Sequence, residues 1–209
     1  AAVSAGVPSG ANILTMTAAL NVFSKMISCS DALREEACGC VTGSFFVYNL
    51  SGQRDDGRYF TTIEMDHFAG GTGGWRGHDG TGAAQNTWSV KTMIANVETT
   101  EMLFPLMYLW RRVTPDSGGP GKYRGGNGLE NAMVGWGAEH IDIVTISVGS
   151  DPRPCLGFAG GLPASHTPAG IMRRAGIKKA LADGTALPTK FDELAGEWDP
   201  LDPKGTTEM

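Results

Sequence analysis

Asp116-Ser-Gly-Gly-Pro-Gly-Lys-Tyr-Arg-Gly-Gly-Asn-Gly128 carries six glycines in thirteen positions around a Lys-Tyr-Arg centre. Glycine loses more conformational freedom on ordering than any other residue. A cluster this dense is therefore either a flexible linker or a tightly turned loop that other groups approach closely. Lys122, Tyr123 and Arg124 argue for the loop, because a segment that contacts an anion or a neighbouring subunit needs such a centre and a Gly/Ser linker does not. Residues 70–82 repeat the theme, with seven glycines in thirteen positions broken by Trp75, Arg76, His78 and Asp79. No strand or helix tolerates that density. Gly-Gly-Thr-Gly-Gly at 70–74 resembles a phosphate cradle, but the Walker Lys-Ser/Thr is missing and no strand-to-helix context follows. Close packing of backbone on backbone is the expectation, with His78 and Asp79 holding the turn or facing a pocket.

Outward from these loops the chain is rich in strand patterns. Residues 106–113, 129–136 and 141–148 read as strands, the last alternating Ile141, Ile143, Thr145 and Ser147 against Asp142, Val144, Ile146 and Val148. Residues 41–49 read as a strand before a Ser51-Gly52 turn, and residues 58–66 as another. Met16, Leu20, Phe23 and Ile27, spaced four, three and four, predict a helix over 15–27 with an apolar face. A short helical turn is expected at 31–37 and a short basic helix at 171–181. The Pro/Gly-rich end, with little to bury, reads as an arm that is disordered or wraps a partner. The expected class is α+β, a β-rich mixed domain with glycine-rich loops and a few short helices. Residues 1–165 form its main unit, and 166–209 an extended tail with a short helix, partly an interaction arm.

Composition narrows the function. A chain of 209 residues with 41% hydrophobic content buries a core. Its 17 basic and 22 acidic residues give a net charge of −5, which offers no electrostatic case for nucleic acid or an anionic membrane. The longest apolar runs, around 102–110 and 141–148, are too short to span a bilayer, so the cytoplasm is the expected compartment. Of four cysteines, Cys29, Cys38 and Cys40 lie close in sequence. They supply three zinc ligands at most, with no nearby fourth, so reduced and partly buried thiols are expected and no metal ligand is assigned.

Two carboxylate pairs stand out. On a strand over 58–66, Phe60, Thr62, Glu64 and Asp66 share one face, next to His67. Mutual repulsion would raise one carboxyl pKa for acid–base work, whereas on an exposed face both would simply be solvated. Glu98 and Glu101, three apart after Asn96 and before Pro105, would stack on a helix for metal or proton chemistry. They would equally serve the first turn of a short helix through its dipole. His78, a lone imidazole, is more often structural than a metal ligand.

The ordered series of motifs resembles the B-type subunits of the hydantoinase/oxoprolinase/ketone-carboxylase family. The 116–128 loop is similar to that family's signature, and Glu64, Gly70-Gly71-Thr72-Gly73 and Asp79-Gly80 resemble its upstream elements. Asn96, Glu98, Glu101 and Pro105 resemble the middle, and Gly160-Gly161-Leu-Pro163 the Gly-Gly-x-Pro element near the end. The resemblance covers roughly residues 1–165. Family subunits are several times longer, and the half bearing His-rich metal ligands normally precedes this region, so the chain reads as the C-terminal part of such a subunit.

The resemblance implies an ATP-dependent complex. An A-type partner would bind ATP and Mg2+ and phosphorylate a carbonyl oxygen, and the B-type subunit would host the chemistry that follows. Any Zn, Mn or Fe would be ligated mainly outside this chain. The substrate would be a ketone, carboxylated through an enol phosphate, or a cyclic amide, hydrolysed as in hydantoinases and oxoprolinases; the Pro115-Asp116 version of the loop favours the ketone branch. On this resemblance Glu64, Asp79 and Glu98 are catalytic candidates, and Lys122, Arg124, Asn96 and His78 candidates for holding substrate or anion. A non-catalytic segment that completes the subunit and docks its partner is the alternative, and the isolated chain is expected to be inactive.

Overall fold

The computed structural model describes residues 10–39, 45–64, 66, 70–83, 94–148, 155–201 and 206–208. In chain order these form α1 (Gly10–Ser28), a 3-10 turn (Arg34–Glu36), β1 (Phe45–Arg54), β2 (Tyr59–Glu64) and α2 (Val97–Leu103). There follow β3 (Leu106–Val113), β4 (Leu129–Gly135), β5 (Ala138–Val148), β6 (Gly170–Arg173), α3 (Ile177–Asp183), a second 3-10 turn (Phe191–Glu193), β7 (Glu197–Pro200) and β8 (Thr206–Glu208). The class is α+β. One four-stranded antiparallel sheet runs in the order β2-β1-β5-β8, and β3-β4 and β6-β7 form two separate two-stranded antiparallel sheets. No helix among the described residues is long and apolar enough to cross a membrane.

The core follows from strand alternation. Cross-strand pairing sets Leu50 against Ile143, Gly52 against Ile141 and Phe60, and Tyr48 against Thr145 and Glu64. Opposed residues of an antiparallel pair point to the same side. One face of the sheet therefore presents Leu50, Phe60, Ile141 and Ile143, which bury with Leu106 and Ala138 and are covered by Tyr48, Phe104, Met133 and Ile171. Ser51-Gly52, expected as a turn, lies inside β1, and the reversal comes at Gly57, whose φ is +84°. A Cβ on Gly52 would stand 2.6 Å from the His140 carbonyl and 3.1 Å from the Phe60 ring, so glycine here serves close packing.

Two further expectations change at the C-terminal end. The basic helix expected over 171–181 divides into β6 and α3, because the chain passes through positive φ at Arg174 (+58°) and Gly176 (+70°). Where the final segment is described it is paired: β7 lies against β6, and β8 adds to the edge of β5.

α1 is a helix as expected, but its apolar spacing does not mark the packed side. Met16, Leu20, Val22, Phe23 and Met26 are exposed, Phe23 at 58% and Met26 at 62%. The inward stripe is Thr17, Asn21, Ser24 and Ser28, with Ser24 Oγ donating to the Cys38 carbonyl.

Candidate functional site

Three of the sequence motifs meet in space. Thr72 N donates to Thr81 O (2.9 Å) and Gly126 N to Thr72 O (2.8 Å), while Gly80 N donates to Arg124 O (2.8 Å), so the 70–83 and 118–128 loops are laced together by backbone. Leu162 N donates to Pro120 O (2.8 Å) and Ser165 N to Ser117 O (3.1 Å), which adds the Gly160-Gly161-Leu-Pro163 segment. The approach is so close that only glycine fits. A Cβ on Gly71 would lie 1.9 Å from Gly126 O, and one on Gly126 would lie 2.0 Å from Thr81 O. Ser117 pins the base of the loop, donating to Thr114 O and accepting from Gly128 N (both 2.8 Å), and Asn127 Oδ1 accepts from Gly118 N (3.1 Å). Between these loops and the end of α1 lies a cleft of about 670 Å³, walled by backbone, Trp75, Tyr123 and Phe158.

The sequence candidates fall into separate places. Asp79 and Arg124 meet at the exposed edge of the laced loops: Asp79 Oδ1 accepts from Arg124 N (2.7 Å), and Oδ2 accepts from its Nε and Nη2 (both 3.3 Å). The Arg124 backbone bond, then its guanidinium, holds the Asp79 carboxyl below the usual carboxylate range. His78 is beside them, stacked on Trp75 with ring centroids 5.8 Å apart and with Nδ1 2.9 Å from the Asp79 carbonyl. Lys122 lines the cleft, its Nζ 5.5 Å from the centre of the Tyr123 ring.

Asn96 and Glu98 belong to α2. Asn96 caps that helix, accepting from Thr99 N (3.0 Å), and Glu98 is exposed in its first turn. Glu101 does not pair with Glu98; its Oε1 accepts from Tyr108 N (2.7 Å).

Glu64 is inside the protein. Both it and Asp66 are buried, at 6% and 2% exposure, so the strand face they share looks inward. Glu64 Oε1 accepts from Asp66 N (2.7 Å), and Glu64 Oε2 is buried with no hydrogen-bond partner among the described residues. Burial, reinforced by the neighbouring Asp66 charge, pushes the Glu64 carboxyl up to about 8, so it is largely protonated at neutral pH. Asp66 is the hub that spacing alone did not single out. It accepts from Tyr108 Oη (2.9 Å), Arg111 Nη1 (3.1 Å) and Asn131 Nδ2 (3.2 Å), and Arg111 also donates to Ala95 O (2.6 Å). The phenols of Tyr48 and Tyr108 are raised, chiefly by burial and then by Glu64. This arrangement can keep a proton on one carboxyl while a guanidinium compensates the other. It also ties the end of β2 to β3 and β4. His67 and Cys40 lie outside the described residues.

Cys29 is an exposed thiol, and Cys38 and Cys155 are partly buried thiols. Burial raises Cys38 to about 11, against the opposing effect of its bond to Gly73 O, so it is neutral and a poor nucleophile at physiological pH. Among the described residues no three His, Cys, Asp or Glu side chains converge as a metal shell.

A strand-built body whose glycine loops converge on one cleft defines a class of protein that sequence comparison makes explicit. The hydantoinase B/oxoprolinase family matches residues 1–205, and the chain belongs to that family. It is 32% identical over 135 residues to the acetone carboxylase alpha subunit of Xanthobacter autotrophicus, covering 65% of this chain and 17% of that protein. To the acetophenone carboxylase delta subunit of Aromatoleum aromaticum it is 33% identical over 143 residues, covering 65% of this chain and 20% of the relative. The chain thus spans about a fifth of the length of these curated relatives. A solved nucleotide-free acetone carboxylase structure shares its fold, with a TM-score of 0.79 at 23% identity over 94% of this chain and 27% of that one.

Proposed function

We propose that this chain is part of a B-type subunit in an ATP-dependent, biotin-independent ketone carboxylase of the acetone or acetophenone type, working in the cytoplasm. The observation that carries the reading is its identity of about one third with subunits of both enzymes. An A-type partner with ATP and Mg2+ would phosphorylate the ketone oxygen. The carbon of the enol phosphate would then bond to the carbon of a bicarbonate-level carboxylate equivalent while the enol O–P bond breaks and inorganic phosphate leaves, giving a β-keto acid. Any Zn, Mn or Fe would be ligated by the remaining part of the subunit. Arg124 and Lys122, both exposed cations on the signature loop, suit an anionic intermediate, and a guanidinium matches two oxygens at once.

A second reading, in which the segment mainly completes the subunit and docks its partner, is favoured by specific placements. Glu64 is sealed in the core, Asn96 is spent on a helix cap, and α1 turns its apolar stripe outward, as a helix covered by further protein would. Both readings make the isolated chain inactive.

ATP turnover by the complete assembly with acetone, acetophenone, hydantoin and 5-oxoproline tests them. Ketone-dependent turnover with β-keto acid formation is expected. Turnover only with the cyclic amides would move the chain to the hydrolase branch, and turnover by the isolated chain would contradict the subunit reading.

A further inference from the structure

The cleft between the glycine loops has a one-sided charge. Its charged lining is Arg34, Arg76 and Lys122, and no Asp or Glu among the described residues contributes to its wall. In a chain with 22 acidic and 17 basic residues, that segregation runs against composition. Two of the cations have carboxylate partners, Asp31 for Arg34 and Glu35 for Arg76, but both carboxylates lie outside the lining. Arg34 Nε is buried with no acceptor among the described residues, a donor left short of one bond. Lys122 has only an aromatic face beside it, with no carboxylate partner among the described residues. The remaining wall is glycine backbone with Trp75, Tyr123, Phe158 and small hydroxyl side chains such as Thr72 and Ser117, and about 670 Å³ falls within the range of small-molecule sites.

We propose that this cleft binds a small organic anion, with Lys122 and Arg76 holding a phosphoryl or carboxylate group and Trp75 and Phe158 flanking its apolar body. The proposal rests on the functional reading above only for the identity of that anion, which in the working assembly is the phosphorylated substrate. Lys122 reaches the ligand from a flexible stem, and Arg76 supplies a planar fork. The glycine lacing beneath keeps the wall rigid, because the two backbones bond directly to each other.

The test uses the 209-residue chain and three probes: phosphoenolpyruvate as an enol phosphate, inorganic phosphate, and acetoacetate as a carboxylate. Amide and indole resonances are followed during titration. Saturable shifts at 73–76 and 121–123 are expected with phosphoenolpyruvate. Lys122→Ala should weaken its binding by about tenfold or more, the loss of one charge-assisted contact, and Lys122→Arg should restore most of it. Lys190→Ala, outside the cleft, should leave binding unchanged. Saturation by acetoacetate alone assigns the site to a carboxylate, and saturation by inorganic phosphate as tight as phosphoenolpyruvate removes the role of the aromatic walls. No saturable binding of any probe, or binding indifferent to both Lys122→Ala and Arg76→Ala, overturns the proposal. Binding without ketone-dependent turnover in the assembly would remove the carboxylase reading and keep the cleft. Turnover unaffected by Lys122→Ala would overturn the identification of the bound anion as the phosphorylated substrate and keep the carboxylase.

Discussion

Glu64→Gln isolates the buried carboxyl pair. In the native chain Glu64 is protonated up to about pH 8, against an ordinary value of 4.5. In the unfolded chain it ionises near the ordinary value. Between those two pH values the unfolded state binds fewer protons than the folded one, so stability falls as pH rises and levels off above about 8. The displacement corresponds to at most about 5 kcal/mol at 1.36 kcal/mol per pKa unit. Glutamine has no proton to lose, keeps the acceptor for Asp66 N (2.7 Å) and places an amide donor where the protonated acid has its hydroxyl. The two proteins should therefore be nearly equal in stability at pH 4.5, and the variant more stable by several kcal/mol at pH 8, which urea titrations at both pH values measure. Parallel pH–stability curves for the two would refute the assignment of Glu64 as a buried, neutral acid.

Asp66→Ala removes the acceptor shared by Tyr108, Arg111 and Asn131 and strands a largely buried guanidinium, so a loss of about 3–5 kcal/mol is expected in the same unfolding assay. Gly71→Ala forces a Cβ to within 1.9 Å of a carbonyl oxygen and should prevent the laced loops from forming, seen as loss of the cooperative thermal transition. Gly128→Ala, whose Cβ would meet nothing nearer than Ser117 Oγ at 3.8 Å, should melt close to the parent. Asp79→Ala removes an exposed pair with Arg124 and the acceptor of its backbone N–H (2.7 Å) and should lower the thermal midpoint only slightly, so a large loss of activity in the assembly would report on function rather than folding. Phe23→Ser on the outward face of α1 should change stability by less than about 0.5 kcal/mol, as surface substitutions do, while lowering binding of a hydrophobic dye to the isolated chain.

The strands read at 106–113, 129–136 and 141–148 were legible because alternation is a local signal that burial of one face enforces; Ile141, Ile143 and Thr145 are indeed the buried set. The helix at α1 was legible in its spacing, but not in its orientation. Spacing says that apolar residues share a side, and only the surrounding body decides whether that side faces inward. Glu64 and Asp66 were visible as a pair on one strand face. Their partners Tyr108, Arg111 and Asn131 were not, since those residues lie more than forty positions away and arrive through the β3-β4 sheet.

By itself, the sequence determined the family, the α+β class and the need for glycine in the loops at 70–82 and 116–128, since each is written in residue types at fixed spacing. The tertiary structure decided what those glycines do. At Gly71, Gly74, Gly80 and Gly126 they let two backbones approach where a Cβ would collide, and so build one wall of a cation-lined cleft. It also separated the candidates, setting Glu64 in the core, Asp79 and Arg124 at the loop edge and Glu98 on a helix turn. Distance between side chains and the dielectric around a carboxyl are properties of packing, and a linear chain does not carry them.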